Sequence, residues 1–100
     1  MGHRLAPEVE SELDDIWYYV VSEGGTQEVA DRLIDSISER FFLLSTYSQI
    51  GRRRDNDLGP RLRSCAVGPY VIIYRIEDDF VLILHVAHGR RDLQGMSGPY

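Results

Sequence analysis

The sequence predicts an α+β domain, a helical hairpin packed on a small antiparallel sheet in the order β-α-α-β-β-β. Three observations carry that expectation. Apolar residues recur at helical spacing in two segments of the first half, Val9 to Val20 and Ala30 to Leu44. Runs rich in β-branched and aromatic residues follow in the second half, at Arg61 to Val67, Tyr70 to Ile76 and Phe80 to Ala87. The connections between those runs, Gly68-Pro69 and Glu77-Asp78-Asp79, are short enough to favour an antiparallel meander.

Each element has its own signature. Met1 to Leu5 reads as a short edge strand. Pro7 suits a helix start, and Glu8 and Glu10 lie favourably near the positive end of the helix dipole, although Ala6 is a poor N-cap. Val9, Leu13, Ile16, Trp17 and Val20 form one apolar face of that helix, with Glu12, Asp14 and Asp15 assigned to the solvated side. Gly24-Gly25 breaks the pattern and supplies a helix–helix turn. Thr26 is the N-cap of the second helix, where Ala30, Ile34, Ile37, Phe41 and Leu44 repeat the period. Val29, Leu33 and Phe42 widen its stripe, so that it can touch more than one neighbour. Gln49 to Pro60 is a polar loop with Arg52, Arg53 and Arg54 in a row. Leu62, Ser64 and Ala66 alternate with Arg61, Arg63 and Cys65 in the next run. Tyr70 to Ile76 is almost continuously apolar, as a central strand covered on both faces should be. A single domain over 1–100 is expected, with a flexible tail from about 90 to 100.

Composition narrows the function classes. No apolar run approaches the roughly 18 residues of a membrane span, and the N-terminus lacks a signal-peptide core, so a cytoplasmic protein is expected. The lone Cys65 has no internal disulfide partner and reads as a small packed side chain. The net charge of −5 is unevenly spread. Residues 1–50 hold three Arg against ten Asp and Glu, whereas residues 51–100 hold eight Arg against six, and there is no Lys. A protein that clamps nucleic acid by phosphate neutralisation carries a basic excess, so direct nucleic-acid binding is not expected.

Little in the chain suggests a cofactor. His85 and His88 lie near Asp92, but residues three apart on a strand point to opposite faces, so neither a metal nor any other cofactor is expected. There is no Gly-rich phosphate loop.

The order of the short motifs is more specific than any one of them. Ala6-Pro7-Glu8 is followed by Asp15-Ile16-Trp17-Tyr18-Tyr19, then Ala30-Asp31-Arg32-Leu33-Ile34-Asp35-Ser36-Ile37, then a Gly-Arg-rich loop from Gly51 to Asp55. Leu58-Gly59-Pro60, Leu62-Arg63-Ser64, Val67-Gly68, Tyr74-Arg75 and His88-Gly89-Arg90-Arg91-Asp92 complete the series. In this order and spacing the chain resembles the ParE branch of the RelE/ParE toxin superfamily. Ser48, Pro69 and Cys65-Ala66 depart from residues common in that family.

The resemblance implies the toxin of a type II toxin–antitoxin pair, a non-enzymatic poison of DNA gyrase neutralised by a ParD-like antitoxin. Arg63, Tyr70, Tyr74, His88, Arg90, Arg91 and Asp92 are the expected target-binding surface. Arg offers planar donors and Tyr a rigid contact face. Leu13, Trp17, Val20, Leu33 and Ile37 are the expected antitoxin contacts along the helical hairpin. A ribosome-dependent messenger-RNA endoribonuclease of RelE type is the enzymatic alternative. RelE-like members carry an Arg where this chain has Val71, and they are strongly basic. A third reading is a non-toxic module that only binds the antitoxin.

Overall fold

Helix α1 (Glu8–Ser22) starts without side-chain help: Pro7 occupies the cap position, and the backbone N–H of Val9 donates to Ala6 O at 3.0 Å. Gly24, at φ 93°, takes the left-handed geometry that closes the turn to the next helix, and any side chain there would be strained. Helix α2 (Gln27–Thr46) begins as the sequence predicts, with Thr26 Oγ1 accepting from the Val29 N–H at 3.1 Å. These details come from a computed structural model that describes residues 1–93.

The remaining elements are strands β1 (Gly2–Leu5), β2 (Arg52–Arg53), β3 (Leu62–Val67), β4 (Tyr70–Ile76) and β5 (Phe80–His88). The sheet order is β1-β5-β4-β3-β2. The α+β class and the helical hairpin on a sheet are as expected, but two features of the sheet are not. It is mixed, because β1 pairs in parallel with β5 while all other neighbours are antiparallel. No tight turn joins β1 to β5, so turn geometry imposes no antiparallel pairing there. A fifth strand, β2, also forms within the segment read as loop, with Arg52 opposite Ser64 and Arg53 opposite Arg63. Two residues are too few to display a period.

A register shift separates Ile73↔His85 from Tyr74↔Ile83, leaving Leu84 as an extra residue in β5. It explains why Val81, Ile83 and Val86 all join the main core although their spacing changes parity. That core fills the space between the hairpin and the sheet, with Val9 and Ile16 from α1, Ile37, Phe41 and Leu44 from α2, and Tyr70, Ile72 and Tyr74 from β4. A smaller cluster of Ile73, Ala87 and Leu93 covers the outer face, joined by Leu58, Leu62 and Val71. Most of the tail expected over 90–100 lies outside the described residues, but Leu93 is buried in this outer cluster. Among the described residues, no helix is long and apolar enough to cross a membrane.

The Tyr74 hydroxyl pins the loop after α2 to the sheet. It donates to Ser48 O at 2.7 Å and accepts from the buried Gly51 N–H at 2.9 Å. A Cβ at Gly51 would overlap the Tyr74 ring and hydroxyl, so only glycine lets the loop approach this closely. Tyr74→Phe leaves the Gly51 N–H without a partner and should cost about 1–3 kcal/mol. Gly51→Ala should cost more, because fixed backbone meets a buried ring. Urea unfolding midpoints of both variants against the parent chain check the order; a midpoint for Gly51→Ala above that of Tyr74→Phe would contradict it.

Candidate functional site

The expected target-binding residues fall into two groups on the helix-facing side of the sheet, at opposite ends of β4. Tyr70 and Tyr74 are four residues apart, which on a strand is roughly 13 Å. Both are almost wholly buried, and burial raises both phenol pKa values above the ordinary one. They therefore support the surface from beneath and present little of themselves. Arg63 sits beside Tyr74, and its guanidinium donates to Gly51 O at 2.8 Å and Gln49 O at 3.3 Å.

The other group is a turn at the end of β5. Tyr70 lies opposite His88 in register, with their rings edge to face at 5.4 Å. The His88 backbone N–H donates to Asp92 Oδ2 at 2.8 Å, and the Asp92 N–H donates back to His88 O at 2.8 Å. The Arg91 N–H donates to His88 Nδ1 at 3.1 Å, which places the proton of a neutral ring on Nε2. Arg91 Nε donates to Asp92 Oδ1 at 3.1 Å, and its guanidinium lies 4.5 Å over the ring of Tyr19 on α1. Arg90 is exposed and has no partner among the described residues. The structure thus brings together Tyr70, His88, Arg91 and Asp92 and adds Tyr19, a residue of the motif series that was not among the expected target-binding residues.

Glu12 also belongs here, and its assignment to the solvated side of α1 is corrected. Its carboxylate accepts from the Val86 N–H at 3.0 Å and lies 2.9 Å from His85 Nδ1. The spacing held the signal, since Glu12 is three residues after Val9 and four before Ile16, on the same helical face. Glu12, Asp15, Ile16, Val86, Ala87, Arg91 and Asp92 line a groove of about 270 Å³ between α1 and β5. His85 and His88 are each engaged separately, and among the described residues no group of His, Cys, Asp and Glu could hold a metal ion.

The expected antitoxin contacts divide differently. Ile37 is fully buried in the core and is not available to a partner; Leu13, Trp17, Val20 and Leu33 are half-buried. Leu13, Trp17 and Ile34 line a cleft of about 360 Å³ between the helices, with Asp14, Asp31 and Asp35 around it. Trp17 Nε1 donates to Asp31 Oδ1 at 2.8 Å, which fixes the indole across the hairpin.

Comparison with known proteins interprets this arrangement. The model of the family described as ParE toxin of type II toxin–antitoxin system, parDE, matches residues 4–93. The chain belongs to this family. Among curated relatives it is 33% identical to Toxin ParE3 of Caulobacter vibrioides over 90 residues, covering 90% of this chain and 88% of that protein. It is also 29% identical to Toxin RelE3 of the same bacterium over 85 residues, covering 85% of this chain and 90% of that one. The fold is similar to that in the chromosomal ParDE toxin–antitoxin system of Pseudomonas aeruginosa, with a TM-score of 0.75 at 21% identity over 88% of this chain and 95% of that one. It is similar as well to the RelBE2 toxin–antitoxin complex of Mycobacterium tuberculosis, with a TM-score of 0.66 at 23% identity over 87% and 95% of the two chains.

Asp92 makes the turn sensitive to acid. Burial pushes its carboxyl up, but the His88 N–H and the Arg91 guanidinium outweigh that and hold it below its usual value. A carboxyl with a depressed folded pKa stabilises the fold above the unfolded value, near 3.8. That contribution is lost as pH falls through the folded value. The urea midpoint of Asp92→Asn should lie below that of the parent at pH 7, and the gap should close as pH falls below the ordinary aspartate value. A gap that is constant with pH would show that the Asp92 charge does not hold the turn.

Proposed function

We propose that this ParE-family chain poisons DNA gyrase in the cytoplasm without catalysing a reaction, and that a ParD-like antitoxin neutralises it at the cleft between α1 and α2. Family membership and the toxin relatives support the toxin role. The observation that carries the target reading is the turn after β5. There Arg90 and Arg91 stand exposed on backbone fixed at both ends by Asp92 and His88. Such a turn offers planar donors to a carboxylate or phosphate with little ordering cost on binding. Arg63, Tyr70 and Tyr74 then act by holding the sheet and its loop in place. Val71, at the position where RelE-like nucleases carry an Arg, packs with the outer apolar cluster, which favours a binding role over ribonuclease chemistry.

The interhelical cleft suits an antitoxin segment of definite chemistry. Its floor of Leu13, Trp17 and Ile34 accepts apolar anchors, and its acidic rim of Asp14, Asp31 and Asp35 favours flanking Arg or Lys. Val20 and Leu33 prolong the apolar strip, while Ile37 supports it from below. The solved ParDE and RelBE2 systems, each a toxin with its antitoxin, support such a partner.

Controlled expression in bacteria tests the reading. Filamentation and a DNA-damage response should follow while translation continues; early loss of translation with cut messages would replace gyrase poisoning with ribonuclease action. At equal expression, Arg90→Ala with Arg91→Ala should raise survival roughly tenfold or more, the effect of losing a contact worth above 1 kcal/mol. Trp17→Ala should leave toxicity in place and weaken antitoxin binding, measured by calorimetry, roughly tenfold or more. Undiminished antitoxin affinity in Trp17→Ala would move the antitoxin away from this cleft.

A further inference from the structure

The sheet segregates arginines that the net charge conceals. Arg53, Arg61 and Arg63 line one cleft of about 180 Å³ with Asp55, Leu62 and Ile76. Arg53 and Arg63 are directly opposite across β2 and β3, an arrangement that like charges disfavour. Arg40 of α2 continues the row: its guanidinium donates to Cys65 Sγ at 3.2 Å and Ala66 O at 3.0 Å. Cys65 is two residues along β3 from Arg63, on the same face and so about 7 Å away.

These charges are only partly compensated among the described residues, since Arg53 and Arg61 have carboxylate partners and the other two do not. Among the described residues neither Arg40 nor Arg63 has a carboxylate within ion-pair distance, since both are held by neutral acceptors. Asp55 serves two groups, the Arg53 guanidinium at 2.9 Å and the Arg61 N–H at 2.9 Å. Glu77 lies 2.6 Å from Arg75 but 3.7 Å from Arg61. Arg61 also has φ 67°, the one non-glycine residue at positive φ among the described residues. Backbone strain of this kind persists where surrounding structure enforces it, often at a binding site. Ten of the sixteen acidic residues lie in the first half of the chain, most of them on the helices, whereas Asp55 and Glu77 are the carboxylates that reach this row.

We propose that the row of Arg40, Arg53, Arg61 and Arg63 binds the phosphodiester backbone of duplex DNA. The guanidinium groups come from α2, β2, the residue preceding β3 and β3 itself, and several cations gathered on one face suit successive phosphates. The cleft has no aromatic ring in its lining on which an unpaired base could stack, which favours a duplex over a single strand. The row is separate from the turn at Arg90 and Arg91, so the proposal stands without the gyrase reading. It runs against the expectation drawn from net charge, because phosphate contacts depend on the local face and not on the molecular total.

The test is fluorescence anisotropy of the purified chain with a labelled 20-base-pair DNA duplex and a 20-nucleotide single-stranded RNA, lengths chosen to be about two helical turns or less, from about 50 to 200 mM salt. The duplex should bind more tightly, with affinity falling steeply as salt rises. Arg53→Gln with Arg61→Gln should weaken duplex binding about tenfold or more at low salt and reduce the logarithmic salt slope by roughly two. Asp55→Asn keeps an acceptor for the Arg61 N–H and should tighten binding several-fold. Arg32→Gln on α2, a remote exposed residue, should change nothing. Absence of duplex binding by the parent, tighter RNA binding, or equal duplex affinity in the folded double variant would each overturn the proposal.

Discussion

Strand β5 is nine residues long and the strand beside it, β1, only four, so half of one β5 edge is left without a backbone partner. Pairing ends at Leu5↔Ile83, with one further bond from the Ala6 N–H to Ile83 O at 2.8 Å. Beyond it, the Val86 and His88 N–H groups face no strand. An unpaired donor near the core is costly, and an open edge invites association with other chains. Carboxylates close this edge, Glu12 taking the Val86 N–H and Asp92 the His88 N–H. The first bond seats α1 against the sheet, and the second folds the chain after β5 back on itself. The placement of Arg90 and Arg91 follows from the second.

A comparable constraint acts at the other end of the sheet. The Tyr74 hydroxyl and the Arg63 guanidinium both reach the backbone around Gly51, so the loop leaving α2 is tied to β3 and β4 together. The next stretch is held by its own charges. Arg54 is paired with Asp57, which raises the arginine pKa and lowers that of the carboxyl, and it also donates to Ser64 Oγ at 2.9 Å. One arginine of the Arg52–Arg54 series is therefore structural, while Arg53 and Arg52 remain at the surface.

Tertiary structure also separates the charges by role. The acidic residues of the helices surround the interhelical cleft, where Asp14, Asp31 and Asp35 lie about an apolar floor. Arginines gather at the turn after β5 and around the paired strands β2 and β3. Surfaces of opposite sign discriminate between partners, since complementary fields favour the right partner at each and repel the wrong one.

The fold was largely legible in the chain because its signals are local. The periods of α1 and α2, the Thr26 cap and the apolar run of β4 report their own conformations through spacing and side-chain shape. The motif series from Ala6 to Asp92 likewise carried the family, which the match over residues 4–93 bears out. Features that depend on distant partners were not legible. The parallel pairing of β1 and the reach of Arg40 to Cys65 each join residues far apart in sequence, and the two-residue β2 is too short to show a period of its own. Tyr74 and Ile37 carried a pattern equally suited to a surface or a core, and only packing decided for the core. Glu12 was misread because a charged residue is ordinarily assigned to solvent. The structure turns it inward, since an unpaired strand edge offers a carboxylate better hydrogen bonding than its sequence neighbours can.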